Sequence, residues 1–319
     1  MVKIYRAAYK DVSAVNMESD ALLVQFLPEL GGKMASLVHK KTSREFLVQS
    51  GGESYKALEY DKSYIDSECS GFDDMFPTID ECYYERFPWQ GTRLPDHGEV
   101  CSLCWDCRIE GDILYMKTYG VRLPYMLEKR VFFEDSETLR IDYRAANLSE
   151  FDMDFIWAAH VMLNAEEGMK LLLPFKEGVK AFCVFSYDPG LGKHGDLLTW
   201  PATKGADGGV RVLDEPGPMK PDGNSYKFYF DEKIPEGWLA CKYPDDGMSL
   251  TLQYPEEKVP YMGIWVNEGS FKGLYNIAPE PCTGAFDRLD AARLHNKNSI
   301  LKAKEQFSWF LKFKAAAGE

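Results

Sequence analysis

Apolar and polar residues alternate with a period of two in several separate stretches of this chain. Leu139–Ala145, Met248–Tyr254 and Phe307–Phe313 each place an apolar residue at every second position. Because successive side chains of a β-strand point to opposite faces, this spacing predicts strands with one buried face. Turn residues separate the stretches, for example at 110–112 and 244–247. Many strands linked by such turns favour an all-β fold of antiparallel sheets packed face to face.

Helical patterns are scarce. The best candidate is the short segment Asp287–Leu294, in which Asp287 is the expected N-cap because its carboxylate can accept hydrogen bonds from the first backbone N–H groups. No linker rich in Pro, Gly or Ser divides the chain, and residues 186–224 are interpreted as a long loop region of one domain and not as a domain boundary. We therefore expect a single domain over residues 1–319 with only a few short helices.

Composition narrows the class of partner and the compartment. The formal net charge of −13 argues against a nucleic-acid partner or an anionic membrane surface. No apolar run is long enough to span a bilayer, and the first residues lack a signal core, so a cytoplasmic protein is expected. The eight cysteines are then expected to be free thiols. Cys101, Cys104 and Cys107 lack a fourth ligand nearby, so no metal site is expected.

Glu280 is the first candidate for chemistry. It lies between two prolines at the end of an expected buried strand, and those prolines restrict the backbone around it. On that strand Asn276 and Ala278 share its face, as a polar sheet face requires. Glu280 is interpreted as a catalytic carboxylate. The alternative is an ordinary carboxylate at a strand end, paired with an arginine or a lysine.

His160 is the second candidate. It lies in an expected apolar strand over residues 151–163, on one face with Asp154, Ile156 and Ala158. The alanine leaves space in front of the imidazole. A neutral histidine that faces a buried glutamate can form a base–acid pair near neutral pH. The alternative is a core histidine whose ring is satisfied by a backbone carbonyl.

Further residues are candidates for binding a polyhydroxylated ligand. His97 lies in a turn ahead of an expected apolar strand that begins at Val100. Asp73 and Asp74 lie in an aromatic segment, where a buried carboxylate needs a partner; two solvated loop aspartates are an equal alternative. Several tryptophans, including Trp265, offer flat faces for a sugar ring, although aromatic residues also build cores.

Five short motifs together resemble the galactose mutarotase-like (aldose 1-epimerase) superfamily. They occur in the family's order across roughly residues 20–313, at 27–37, 71–79, 95–99, 157–160 and 280–284. The resemblance implies a large antiparallel β-supersandwich with a sugar-binding cleft across one sheet. It also implies an enzyme that interconverts the α and β anomers of a free sugar.

The resemblance implies roles for three residues. Glu280 corresponds to the general base that takes the proton from the anomeric hydroxyl. His160 corresponds to the general acid that protonates the ring oxygen, and His97 to a sugar-binding histidine. No cofactor is implied, since only protons move. The expected partner is a monosaccharide or related carbohydrate, and the expected assembly is a monomer or a homodimer.

The sequence also departs from the family pattern. The arginine that contacts the sugar in the better-known galactose mutarotases is not evident in residues 71–79, and only Asp196 is a candidate for the mid-chain binding aspartate. The identity of the sugar therefore does not follow. Two other classes of function stay open: a non-catalytic carbohydrate-binding module, and a lyase or hydrolase on the same fold.

Overall fold

A computed structural model describes residues 1–317, and β-strands dominate it. In chain order the strands are β1 (Lys3–Tyr9), β2 (Val12–Glu18), β3 (Leu22–Leu27), β4 (Lys33–His39), β5 (Arg44–Glu45), β6 (Phe72–Met75), β7 (Cys82–Tyr83), β8 (Arg93–Leu94), β9 (Asp106–Glu110), β10 (Ile113–Tyr119), β11 (Tyr125–Phe133), β12 (Thr138–Asn147), β13 (Met153–Phe155), β14 (Ala158–Val161), β15 (Leu163–Asn164), β16 (Lys170–Leu172), β17 (Lys180–Ser186), β18 (Leu197–Thr199), β19 (Ala202–Lys204), β20 (Val210–Val212), β21 (Ser225–Phe230), β22 (Trp238–Lys242), β23 (Met248–Gln253), β24 (Tyr261–Glu268), β25 (Tyr275–Cys282), β26 (Ser299–Leu301) and β27 (Gln306–Ala317). The helical segments of the described residues are α1 (Leu289–Leu294) and the 3-10 turns Tyr64–Asp66 and Val100–Ser102.

Two large sheets contain most of these strands. A 13-stranded sheet follows the order β1-β2-β3-β4-β6-β14-β25-β24-β21-β17-β18, and two short strands complete it: β5 pairs with β4, and β15 pairs with β25. An 8-stranded sheet follows the order β16-β22-β23-β27-β12-β11-β10-β9. Neighbouring strands in both sheets pair antiparallel, as between β24 and β25 or between β12 and β27. The prediction of an all-β, antiparallel fold with a few short helices is confirmed.

The two sheets pack face to face through aromatic side chains. Phe72 of β6 contacts Phe313 of β27, with ring centroids 5.6 Å apart. Trp157, just before β14, packs on Tyr143 of β12 and Trp309 of β27 at 5.0 and 5.1 Å. These residues belong to one continuous cluster of buried apolar side chains that spans both sheets. This shared core supports the proposal of a single domain.

The three alternating stretches form strands of the smaller sheet. They lie within β12, β23 and β27, except that Tyr254 follows the end of β23, and these strands are neighbours in the order β23-β27-β12. Along β12, Leu139, Ile141 and Tyr143 are buried, whereas the residues between them are partly exposed. The alternation is visible in the sequence because one face of this sheet packs on the core and the other meets solvent.

Two predicted strands are wrong in detail. The expected strand over residues 151–163 is divided: β13 pairs with β26, and β14 lies in the large sheet. Every residue from Met153 to Leu163 is buried, so no alternation marks the break. The expected strand from Val100 is a 3-10 turn, and β9 begins only at Asp106. There the indole of Trp105 donates a hydrogen bond to the Val100 carbonyl, 2.9 Å, and holds the turn.

The predicted helix start is also wrong. Helix α1 begins at Leu289, with Arg288 at the N-cap position. The Asp287 carboxylate is instead engaged by the Tyr229 hydroxyl and the Lys227 ammonium, both at 2.7 Å. A buried lysine and a tyrosine hydroxyl thus take the carboxylate that was expected to cap the helix. No helix in residues 1–317 has the length and apolar character needed to cross a membrane.

Candidate active site

Five consecutive strands of the large sheet each place one side chain in a polar cluster on the sheet face that points away from the smaller sheet. Cross-strand register aligns these side chains: His160 lies opposite Asp73, and Trp265 lies opposite Lys227. Antiparallel neighbours in register share one face, so the strands converge on one site. The term polar cluster is used below for Asp73, His160, Glu280, Trp265 and Lys227.

Glu280 and His160 face each other at the centre of the polar cluster. Their closest atoms, Glu280 Oε1 and His160 Nε2, are 3.9 Å apart. The second carboxylate oxygen, Oε2, lies 2.7 Å from the ammonium of Lys227. Burial raises the pKa of Glu280, the charge of Lys227 opposes this, and Asp287 adds to the rise. The carboxylate is therefore a stronger base than an exposed glutamate.

The imidazole of His160 is enclosed by aromatic rings. The rings of Tyr64 and His97 each lie 5.3 Å from it, centroid to centroid, and Trp265 lies at 6.3 Å. Burial lowers the pKa of His160 well below its usual value, and the positive charges of His97 and Lys227 lower it further. Within residues 1–317 its Nδ1 atom is buried without a hydrogen-bond partner. This ring is therefore held mainly by packing.

His97 is placed by a strained turn and by its neighbours. Its backbone adopts φ of +59°, a left-handed conformation that few side chains adopt. Its Nδ1 lies 2.7 Å from Asp96 Oδ1, and its ring stacks on Tyr64 with centroids 3.9 Å apart. Burial raises the pKa of Asp96, but the hydrogen bond and charge of His97 outweigh burial and lower that pKa to about 2. Asp96 thus orients the ring.

Asp73 lies on the cluster face of β6 and carries a buried ion pair. Its Oδ2 accepts a hydrogen bond from the Tyr64 hydroxyl and pairs with the Lys33 ammonium, both at 2.7 Å. Its Oδ1 is buried and has no hydrogen-bond partner among the described residues. An unpaired buried acceptor is costly, so this oxygen is available for a ligand hydroxyl or a water molecule.

Asp74, one residue on, lies on the opposite face and in the core between the sheets. Its Oδ1 accepts a hydrogen bond from the indole of Trp157 at 2.9 Å. Its Oδ2 accepts one from the ammonium of Lys129 on β11 at 2.8 Å. Both oxygens are therefore occupied, and the structure does not bring Asp74 together with Glu280 and His160.

Asp196 stabilises the turn in which it lies. Its Oδ2 accepts a hydrogen bond from the backbone N–H of Lys193, 2.9 Å away. Aspartates commonly close turns in this way. No described contact links it to the polar cluster, so a role in sugar binding stays a prediction.

Sequence reasoning missed four residues of this site: Lys227, Asp287, Lys33 and Tyr64. A signal for Lys227 was present, since it stands in the strand Ser-Tyr-Lys-Phe-Tyr-Phe, where every residue is buried. Lysine is almost never fully buried unless it is paired. A lysine in such a run therefore indicates a carboxylate partner elsewhere in the chain.

Known proteins resemble this chain in structure more than in sequence. A scan against protein-family models finds no match, and neither does a search of curated proteins. A solved protein of Synechocystis sp. PCC 6803 matches with a TM-score of 0.69 at 16% identity, over 98% of this chain and 99% of its own. A galactose mutarotase-like protein from Lactobacillus casei matches with 0.66 at 17%, over 95% and 100%. One from Clostridium acetobutylicum matches with 0.67 at 13%, over 99% and 99%.

These matches establish the fold. Identities of 13–17% show architecture alone, and here it is shared over nearly the whole length of each chain. The chain has the galactose mutarotase-like fold, as its five short motifs predicted. A shared fold does not by itself assign a function, which depends on the residues of the site.

Proposed function

We propose that this protein is a cofactor-independent aldose 1-epimerase-like enzyme that interconverts the α and β anomers of a free sugar. The observation that carries the proposal is the opposed pair of Glu280 and His160, 3.9 Å apart on the cluster face. Anomer exchange removes a proton from the anomeric hydroxyl and adds one to the ring oxygen. These two oxygens are bonded to the same carbon, so two proton-transfer groups must lie side by side, as this pair does.

The proposed cycle needs one proton on the Glu280–His160 pair. The Glu280 carboxylate takes the proton from the anomeric hydroxyl, while the His160 imidazolium gives its Nε2 proton to the ring oxygen. The bond between C1 and the ring oxygen breaks, which leaves an open-chain aldehyde, a protonated Glu280 and a neutral His160. Rotation about the C1–C2 bond presents the other carbonyl face. Ring closure returns both protons and gives the other anomer.

The enclosure of the pair favours a small sugar over a polymer. His160 and Glu280 are only 6% and 1% exposed. An open groove suits a polymer, whereas a closed pocket suits a monosaccharide. In the proposed complex the reacting end of the sugar lies at the pair, the face of Trp265 supports the ring, and His97 and the free oxygen of Asp73 bind hydroxyls.

NMR exchange spectroscopy on a panel of reducing sugars tests this proposal. The wild-type protein is expected to accelerate exchange between the anomers of at least one sugar. Glu280→Gln and His160→Ala are each expected to lower the rate by about 10²–10⁴-fold, the usual contribution of a general base or acid. Both variants are expected to keep sugar binding, which is followed by line broadening.

A matched control is Glu268→Gln. This glutamate lies on β24 of the same sheet, and burial also raises its pKa, but its carboxylate accepts a hydrogen bond from the backbone of Gly217 at 2.7 Å. The control is expected to exchange anomers at the wild-type rate. Wild-type protein that binds sugars without exchange would overturn the proposal and favour a carbohydrate-binding module.

A further inference from the structure

The two oxygens of the Glu280 carboxylate have different neighbours. Oε2 lies 2.7 Å from the ammonium of Lys227, whereas Oε1 lies 3.9 Å from the imidazole of His160. A carboxylate tied at one oxygen has lost most of its freedom to rotate. The ion pair with Lys227 thus leaves the other oxygen directed at the space beside His160.

Lys227 is itself fixed. Its ammonium lies 2.7 Å from Asp287 Oδ1 as well, and the Tyr229 hydroxyl donates to that same oxygen at 2.7 Å. The backbone carbonyl of Asp287 accepts hydrogen bonds from the N–H groups of Ile79 and Asp80, at 3.0 and 2.8 Å. The ammonium is therefore held between two carboxylates on anchored backbone and cannot swing away from Glu280.

We propose that Lys227 and Asp287 are positioning residues that together set the charge and the direction of the Glu280 base. The inference rests on the function proposed above. Lys227 stabilises the ionised carboxylate. Asp287 holds Lys227 in place and adds a second negative charge, which keeps the carboxylate basic enough to accept a proton. Neither residue needs to touch the substrate.

Lys227 and Asp287 affect the pKa of Glu280 in opposite directions, and this makes the inference testable. The groups around Glu280 that carry charge or titrate are Lys227, Asp287, Tyr229, His97, His160 and Cys282. Burial raises the pKa of Glu280, while Lys227 lowers it and Asp287 raises it. A residue with a merely structural role would not shift the titration of Glu280 in a direction that follows its own charge.

The experiment is a ¹³C NMR titration of protein labelled at the glutamate carboxyl carbon, with Glu280→Gln used to assign the resonance. Lys227→Met is expected to move the Glu280 midpoint up by about one pH unit or more, since an opposite charge in contact typically has an effect of that size. Asp287→Asn is expected to move it down. Lys227→Arg keeps the charge and should keep the midpoint near the wild-type position.

Lys33→Met is the matched control. Lys33 is equally buried and equally close to a carboxylate, 2.7 Å from Asp73, but it does not contact Glu280. The Glu280 midpoint is expected to stay in place in this variant. Folding of every variant is checked by circular dichroism. If Lys227→Met does not fold, the downward shift expected for Asp287→Asn, set against the unchanged midpoint expected for Lys227→Arg, still decides the question.

The titration does not depend on turnover, so the two proposals can fail separately. The expected result is a midpoint that follows the charge of the variant, with the limb of the kcat/KM profile that reports Glu280 moving in the same direction. If the Glu280 midpoint follows the charge of each variant but the protein does not exchange anomers, the proposed function is wrong and the positioning role of Lys227 and Asp287 stands. An unchanged midpoint in folded Lys227→Met, or equal shifts in both charge-removing variants, would overturn the inference.

Discussion

Replacing Lys129 by methionine is expected to destabilise the fold strongly while leaving the polar cluster intact. Lys129 and Asp74 are each only 1% exposed, and their 2.8 Å contact joins β11 of one sheet to β6 of the other. The same ammonium donates to the backbone carbonyl of Gly32 at 2.6 Å. Lys129→Met leaves the Asp74 charge in the core with only the indole of Trp157 as a partner.

The size of the loss follows from that isolated charge. Removal of one partner of a buried ion pair typically costs about 3–5 kcal/mol, because the other charge stays desolvated. The double variant Asp74→Asn/Lys129→Met has no unpaired charge, so it should lose clearly less than the single variant. Urea unfolding followed by tryptophan fluorescence measures the difference. If the single variant loses less than about 1 kcal/mol, the ion pair is not a dry core contact and the reasoning fails.

Three further predictions concern the surroundings of the polar cluster. Gly98→Ala should lower thermal stability and the rate of anomer exchange together. Gly98 has φ of +72°, and a Cβ there would lie 2.4 Å from the Phe76 carbonyl oxygen. Differential scanning calorimetry checks this prediction, and an unchanged melting temperature contradicts it. Burial raises the pKa of Asp96, but the hydrogen bond and charge of His97 outweigh burial and lower that pKa to about 2. The lowered pKa contributes about 2 kcal/mol to the free energy of unfolding, and this contribution is present above pH 4 and lost as the pH falls towards 2. Urea midpoints of Asp96→Asn should therefore vary less over that range than those of the wild type. Burial, His97 and Lys227 lower the pKa of His160 well below the usual histidine value, so the His160 imidazolium is lost on the acidic side of neutrality. The loss of this acid should therefore lower kcat/KM for anomer exchange as the pH rises, and a rate that still climbs at alkaline pH would refute the assignment of His160 as the acid.

The fold was predictable from sequence where strands have one solvent-exposed face. Leu139–Ala145 alternates because β12 lies in a sheet with one exposed side. The large sheet is covered at its centre on both faces, so β14 and β25 contain only buried residues or nearly so. Burial on both faces erases the alternation. The break between β13 and β14 was therefore invisible, and the short motifs located this region instead.

The candidate site was predictable in part. The opposed placement of Glu280 and His160 was inferred from small and polar neighbours on their strands. Adjacent Asp73 and Asp74 could not be told apart by composition, because only the orientation of β6 decides which one faces the polar cluster. The pairing of Lys227 with Glu280 joins positions more than fifty residues apart. Nothing in either local stretch encodes which carboxylate the buried lysine meets.

The core side of the sheet fixes the chemistry of the cluster side. Glu280, Trp265 and Lys227 lie on three adjacent strands whose opposite faces present Ile277, Ile264 and Phe228, all buried in the main core. A slip of one residue in any of these strands would drive a charged or polar side chain into that core and expose an apolar one to the polar cluster. Apolar packing on one face therefore holds the base, its lysine and the expected sugar platform in register on the other. Substitutions that keep the core face apolar leave this register intact, which is a physical route to a shared architecture at identities as low as 13%.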